Sequence, residues 1–215
     1  MVQLLRVDPF VYLKNIEGDL TCLESGYHTQ LQRQHLASCA QSVAQLSGAL
    51  EALVEYALIE DDTFVSTKRP ANVKSFLQRI AQPHQAPLAE RGIEFIAEVD
   101  RELPPTIILD EFHLEMILTN LLGFALNQVP NKLSIMAKPG GGEAREASLL
   151  IEIKCFGVSN YSRLEIAEAA DPYFGALLAR KLLETLEWQY DFQRLDDSMT
   201  ISLCVPFVSD SSGAT

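Results

Sequence analysis

The chain has four histidines, and imidazole is the side chain that can accept a proton or carry a phosphoryl group near neutral pH. His28 and His35 lie seven residues apart, so they would share one helix face if a helix began early enough to include both. They are either two solvent-exposed histidines on a polar face or a phosphotransfer site. His84 and His113 are interpreted as structural, and His113 could simply face solvent near Asp110.

Cysteine is another side chain with functional chemistry, because its thiolate can hold a metal. The chain has four, at Cys22, Cys39, Cys155 and Cys204. Because no CxxC spacing and no histidine in a ligand pattern accompanies them, we expect reduced core thiols, with neither a metal site nor a disulfide framework. The glycines at 140–142 lack the GK[ST] ending of a phosphate-binding loop and precede no helix, which favours a plain turn.

The composition is typical of a globular protein. The 215 residues are 47% apolar, and the mean hydropathy is +0.06. A net charge of −12 disfavours binding to nucleic acid or to anionic membrane surfaces. The apolar runs are far shorter than the roughly 20 residues that span a bilayer, and no leader-like segment precedes them. We therefore expect a cytoplasmic protein without membrane insertion.

The elements that would position these residues begin with a proline-free stretch at residues 10–69, where apolar residues recur at helical spacing. Two amphipathic helices are predicted, separated by residues 25–30. Gly26 is the expected C-cap of the first helix, and Thr29 the expected N-cap of the second. A hairpin with one apolar stripe on each arm cannot bury both stripes by itself, so we expect a homodimer that forms a four-helix bundle.

Beyond a polar linker at residues 60–70, helical and strand patterns alternate. Three helices are predicted, at residues 71–91, directly after a cap at Asp110, and at residues 172–187. Pro83 is expected to bend or end the first of them. Five strands are predicted from period-two alternation, in GIEFIAEVD, KLSIMAKP, SLLIEIKCF, WQYDFQRL and MTISLCVPF.

Helices on one face of a mixed sheet predict an α+β two-layer sandwich. The predicted domains are a helical hairpin dimerisation domain at residues 1–62, the α+β domain at residues 63–208 and a disordered tail at residues 209–215.

Four segments resemble, in order and spacing, the dimerisation helices and ATPase domain of sensor histidine kinases. They are LEALVEYALIED, VKSFLQRIAQPHQAPLAERGIEF, ELPPTIILDEFHLEMILTNLLGFAL and FGALLARKLLETLE. The resemblance covers nearly the whole chain, and AERGIEF to NLLGFAL is its most diagnostic part. It implies a dimeric hairpin followed by an ATP-binding domain of the GHKL type, in a protein of two-component signalling.

The resemblance also implies a site on the long helix, where two asparagines four residues apart and a lysine three further on share magnesium and phosphates. Asn120 stands at the first position, but Phe124 replaces the second asparagine and Asn127 replaces the lysine. A phenyl ring offers no oxygen to a hard cation, and an amide cannot neutralise a polyphosphate. We therefore expect no metal here.

The remaining nucleotide-binding segments depart from the family pattern as well. Cys155 stands where the resemblance implies an aspartate that accepts from the adenine amino group, and only Gly157 remains of the following glycines. Before the late helix Gly175 remains, while Tyr173 replaces another glycine that close backbone approach requires. We therefore predict a degenerate nucleotide site without a cofactor. We also expect no ATP-dependent activity.

Two further positions come from the resemblance. The aligned phosphoacceptor falls near residues 4–5, and the chain has no histidine before His28. The family docks a receiver domain on the helical bundle near the linker. The matching polar residues here, exposed in our prediction, are Tyr12, Asn15, Asp19, Glu51, Glu55 and Tyr56. An ordinary solvated face is the alternative interpretation of these six residues.

Three functions follow as hypotheses. The favoured one is a catalytically degenerate, dimeric scaffold or binding partner for the receiver domain of a response regulator or for a histidine kinase. The second is an ATP-independent phosphotransferase, in which His28 or His35 relays phosphoryl between receiver domains. The third, an active ATP-dependent kinase, is disfavoured by the missing magnesium and adenine ligands.

Overall fold

The structure is a computed structural model that describes residues 9–24, 26, 28–61, 63–128, 130–140, 147–158 and 174–209. The chain divides into two compact units, Met1–Asp62 and Thr63–Thr215.

The first unit is a helical hairpin of α1 (Pro9–Glu24) and α2 (Gln30–Glu60). The predicted N-cap at Thr29 is confirmed and forms a reciprocal capping box. The Thr29 hydroxyl accepts from the Gln32 N–H at 3.3 Å, and Gln32 Oε1 accepts from the Thr29 N–H at 2.9 Å. These bonds satisfy donors that the first turn would otherwise leave unpaired, and they fix where α2 begins.

The hairpin buries few of its apolar side chains. Among its described side chains only Leu13 and Ile59 are buried. Leu31, Leu46 and Leu53 of α2 are 63%, 52% and 51% exposed. At 100° per residue these three fall within about 60° of one another, so they form an apolar stripe along one side of α2. The described residues leave this apolar stripe uncovered.

The second unit alternates helices and strands. In chain order its elements are β1 (Arg69–Asn72), α3 (Val73–Glu90), β2 (Glu94–Val99), β3 (Thr106–Leu109), α4 (Glu111–Asn127), β4 (Lys132–Pro139), β5 (Ser148–Phe156), α5 (Phe174–Thr185), β6 (Gln189–Leu195), β7 (Ser198–Pro206) and β8 (Val208–Ser209). A five-stranded sheet has the order β2-β4-β5-β7-β6, in which β2 and β4 are parallel and the other pairs antiparallel. The predicted α+β fold class is confirmed.

The core of this unit lies between one face of the five-stranded sheet and the helices. Alternate residues of β5 and β7 are buried, including Ile151, Ile153 and Leu203. On α4 and α5 the buried positions recur at helical spacing, as at Leu118 and Leu182. The alternate residues of the strands and the helically spaced residues of α4 and α5 therefore pack together in one apolar layer.

Three features differ from the prediction. Pro83 does not end a helix, since α3 continues through it to Glu90. A second sheet, of order β1-β3-β8, was not predicted, because strands of two to four residues are too short to display alternation. Ser209, which we assigned to the tail, lies in β8, and residues 210–215 are outside the described range.

Within the described part of the chain, every helix is too short or too polar to cross a bilayer.

Candidate functional site

The candidate site is organised by α4, whose start is well defined. The predicted N-cap at Asp110 is confirmed, because its Oδ1 accepts from the His113 N–H at 3.1 Å. From there α4 is amphipathic, with Leu114, Ile117 and Leu121 buried. Asn120 therefore lies at the margin of the core face.

Asn120 and Gly175 are brought together, as two members of one site should be. Asn120 is half-buried, and its Nδ2 donates to the Met116 carbonyl at 2.8 Å. Gly175 lies in the first turn of α5, and a Cβ placed there would overlap Asn120 Oδ1. The bare Cα of glycine allows α5 to approach the carboxamide this closely, and a larger residue would require the Asn120 side chain to move.

Phe124 follows Asn120 by one turn of α4 and belongs to the core. It is only 3% exposed, and its ring lies edge-on to Phe192 of β6, with the centroids 6.4 Å apart. This geometry is a favourable aromatic pair. At the position where the family pattern implies a metal ligand, α4 therefore presents a packed hydrocarbon ring. The side chain of Asn127 lies outside the described set, and so does Tyr173.

Cys155 occupies the end of β5, opposite Leu133 of β4 and Met199 of β7. It is fully buried, and burial raises the pKa of its thiol to about 12. The thiol is therefore neutral at physiological pH and cannot act as the anionic acceptor that an aspartate would supply.

Gly157, two residues further on, has φ +69, a left-handed backbone conformation that disfavours other residues. A Cβ at Gly157 would also overlap the Asn131 side chain. This glycine is therefore explained by the backbone alone. Among the described residues, no group of three or more His, Cys, Asp or Glu side chains could hold a metal ion.

The two candidate phosphoacceptors differ in their surroundings. His28 precedes α2, so the expected shared helix face does not exist. Its Nε2 contacts the Leu23 carbonyl, which also accepts the Gly26 N–H at 3.1 Å, so His28 helps to close the end of α1. His35 is exposed on α2, one turn after Leu31 and on the side of the apolar stripe.

The predicted partner surface is only partly exposed. Asn15, Asp19 and Glu51 are exposed on the hairpin. Glu55 and Tyr56 are half-buried, which corrects the expectation that they face solvent. The side chain of Tyr12 lies outside the described set.

Sequence reasoning missed a buried polar pair at the start of α4. Asp110 is 1% exposed and His113 is 4% exposed, so of the two interpretations of His113 the structural one agrees with its burial and the solvent-facing one is wrong. His113 Nδ1 donates to Asp110 Oδ2 at 2.7 Å, and the Ser66 hydroxyl donates to the same oxygen at 2.6 Å. Burial raises the pKa of Asp110, but the hydrogen bonds from His113 and Ser66 outweigh it and leave that pKa below its usual value. The available signal was the spacing, because a residue three after an N-cap can reach back to it.

Known proteins resemble this chain in sequence. No protein-family model matches it. The histidine kinase BarA of Escherichia coli K12 is 21% identical over 131 residues, 60% of this chain and 14% of BarA. The sensor histidine kinase GacS of Pseudomonas protegens is 25% identical over 152 residues, 69% of this chain and 16% of GacS. The chain thus spans about one-seventh of the length of these curated relatives.

Solved structures resemble it in fold. The Acinetobacter baumannii histidine kinase AdeS has a TM-score of 0.62 at 9% identity, covering 94% of this chain and 96% of AdeS. Full-length ShkA in complex with AMPPNP has a TM-score of 0.63 at 18% identity, covering 94% of this chain and 44% of ShkA. The chain is a histidine kinase-like protein. A third histidine kinase, ThkA in complex with the response regulator TrrA, has a TM-score of 0.56 at 12% identity, over 94% of this chain and 58% of that one.

In this histidine kinase-like chain, the close approach of α4 and α5 is present, whereas two of the side chains that the family pattern implies for nucleotide binding are absent. The approach is present where Gly175 meets Asn120. Phe124 and Cys155, at the positions where the family pattern implies ligands for metal and adenine, belong to the core. The arrangement can position helices, but these two residues supply neither an oxygen ligand nor an anionic acceptor.

Proposed function

We propose that the chain is a catalytically degenerate histidine kinase-like protein of two-component signalling. It acts as a dimeric scaffold that binds the receiver domain of a response regulator, or a histidine kinase. The observation that carries the proposal is the burial of Phe124 against Phe192, because a side chain that fills the core cannot also coordinate magnesium.

The expected loss of nucleotide affinity is large. Removing a metal ligand and a charge-assisted phosphate contact should cost on the order of 2 kcal/mol each, which together weakens binding about a thousandfold. The neutral thiol of Cys155 removes the adenine contact as well.

Support for the partner comes from the relatives. BarA and GacS are signalling histidine kinases, and the ThkA structure contains a response regulator. Asn15, Asp19 and Glu51 are exposed on the helices where the family pattern puts the receiver contact. With a net charge of −12, the chain should prefer a receiver that presents a basic contact surface.

An ATP-independent phosphotransferase is the second candidate, and the exposure of His35 is the observation that favours it. An exposed imidazole can accept phosphoryl. His28 is less suited, because its Nε2 already contacts the Leu23 carbonyl. Dimerisation along the apolar stripe would also restrict access to His35.

Calorimetry with millimolar Mg-ATP tests the loss of nucleotide binding, with ShkA as positive control because its structure contains AMPPNP. We expect no saturable heat. Micromolar affinity would overturn the degenerate assignment and restore the kinase hypothesis.

Binding of purified receiver domains from the same genome, measured by interferometry, tests the scaffold role. We expect saturable binding that Glu51→Lys weakens and Ala37→Lys, also exposed on α2, leaves unchanged. If phosphorylated receivers instead transfer label to the wild-type chain and His35→Ala abolishes the transfer, the phosphotransferase function replaces the scaffold.

A further inference from the structure

The connector, residues 63–68, is the segment by which the chain enters the α+β unit. It lies largely at the surface. Val65 is 72% exposed, Ser66, Thr67 and Lys68 are exposed, and Phe64 is half-buried. A segment with so little burial is held by a small number of specific contacts and can open without unfolding the domain.

Three connector residues converge on the buried pair at the start of α4. The Ser66 hydroxyl donates to Asp110 Oδ2 at 2.6 Å, and the Thr67 N–H donates to the same oxygen at 3.1 Å. The ring of Phe64 lies 4.6 Å from that of His113, centroid to centroid. The connector is thus joined to α4 by two hydrogen bonds and one ring contact.

Asp110 performs two tasks with one carboxylate. Its Oδ1 caps α4 through the His113 N–H, while its Oδ2 accepts from the connector and from His113 Nδ1. Since a carboxylate is acceptor-only, His113 Nδ1 must carry the proton that it donates. Hydrogen bonds to an ionised, buried acceptor are among the stronger ones in proteins.

A cap alone would not require this arrangement. Asn72 caps α3 through the Ser75 N–H at 2.9 Å, and it is exposed. Asp110 and His113 are, in contrast, the polar residues that the described part of the chain buries. Burial of a charged group is costly unless partners compensate it, so the extra donors from the connector are what make this site stable.

We infer that Asp110 and His113 form a clasp that holds the connector on the first turn of α4. The clasp fixes the point at which the chain leaves the hairpin sequence and enters the α+β unit. Its release would free residues 64–68 while the five-stranded sheet stays folded. This inference does not depend on the proposed function.

Hydrogen–deuterium exchange of the whole 215-residue chain, read by mass spectrometry, tests the clasp. Ser66→Ala removes one connector bond, and Asp110→Asn removes the charge on which all of them depend. We expect exchange of the Thr67 amide, whose N–H donates to Asp110 Oδ2, to rise roughly tenfold to a hundredfold in each variant. In Asp110→Asn the first turn of α4 should also exchange faster.

The matched control is Asn72→Ala, which deletes a neighbouring cap without touching the clasp. It should accelerate exchange in the first turn of α3 and leave residues 64–68 unchanged. Wild-type exchange of the connector in Ser66→Ala would overturn the inference, and so would a rise of equal size throughout the five-stranded sheet. Should Asp110→Asn fail to fold, Ser66→Ala alone still decides between these outcomes.

Discussion

The two units of this chain handle their apolar side chains in opposite ways. In the α+β unit, Leu118, Leu122 and Ile153 are completely buried between helices and sheet. In the hairpin, Leu46 and Leu53 are 52% and 51% exposed. One unit has a core of its own, whereas the other presents apolar surface of the kind that marks an interaction site.

The two units also differ in what their side chains could contribute to function. In the α+β unit, Phe124 and Cys155 lie in the core, at positions where the family pattern implies a metal ligand and an adenine contact. The hairpin has kept a stripe that a second chain could cover. On the proposed function, partner binding belongs to the hairpin, because its side chains are the exposed ones, and the α+β unit contributes its fold.

The largest expected effect is on assembly. The wild-type protein should be a dimer of twice 23.9 kDa, and Leu46→Asp combined with Leu53→Asp should give monomers, because the interface would have to bury two unpaired charges from each chain. We expect association to weaken at least about a hundredfold. Light scattering after size exclusion measures the mass.

The control for assembly is Ala37→Asp, an exposed position of α2 that points away from the apolar stripe. It should remain dimeric. A wild-type mass of 23.9 kDa, the mass of one chain, would show that the hairpin does not form a dimer and that the apolar stripe is not a dimer interface.

The next largest effect concerns the core of the α+β unit. Phe124→Ala should lower the free energy of unfolding by about 3–5 kcal/mol, because it leaves a cavity against Phe192. Phe112→Ala, on the same helix but at a side chain that is 56% exposed, should cost less than about 1.5 kcal/mol. Chemical denaturation measures both, and equal losses would show that Phe124 is not a core residue.

Much of the fold follows from periodicity. Long elements such as α2, β5 and β7 show their period over enough residues to be recognised, and Thr29 and Asp110 act as the caps that their chemistry suggests. The short strands β1, β3 and β8 do not, because two to four residues are too few to display a period. Pro83 was expected to bend or end its helix, and α3 continues through it, so the alternative in which the helix ends there is wrong.

The candidate site was only partly predictable. Residue type alone showed that Phe124 cannot bind a cation. It could not show that Gly175 meets Asn120, which depends on how α4 and α5 pack. Residue type also did not indicate that His113 is buried. Its burial depends on the segment that contains Phe64 and Ser66, which lies more than forty residues earlier in the sequence.

A smaller effect should appear with pH. The pKa of Asp110 lies below its usual value of 3.8, so its charge stabilises the folded state above that pH and the stabilisation is lost as the pH falls through the folded-state pKa. Asp110→Asn lacks this dependence. The difference in unfolding free energy between wild type and variant, measured in urea, should therefore shrink as the pH is lowered from neutral to about 3. A difference that grows on acidification would contradict the lowered pKa.

The smallest effect tests the close approach of two predicted site residues, Gly175 and Asn120. In an ordinary helix Gly→Ala stabilises by up to about 1 kcal/mol, but a Cβ at Gly175 would overlap Asn120 Oδ1 and force that side chain away from its bond to the Met116 carbonyl. The two terms oppose each other, so Gly175→Ala should leave the free energy of unfolding nearly unchanged or slightly lower. In the Asn120→Ala background the obstruction is gone, and the same substitution should stabilise by about 0.5–1 kcal/mol. A double-mutant cycle measured by chemical denaturation gives the coupling directly. If Gly175→Ala is equally stabilising with and without Asn120, the close approach of α4 and α5 is absent.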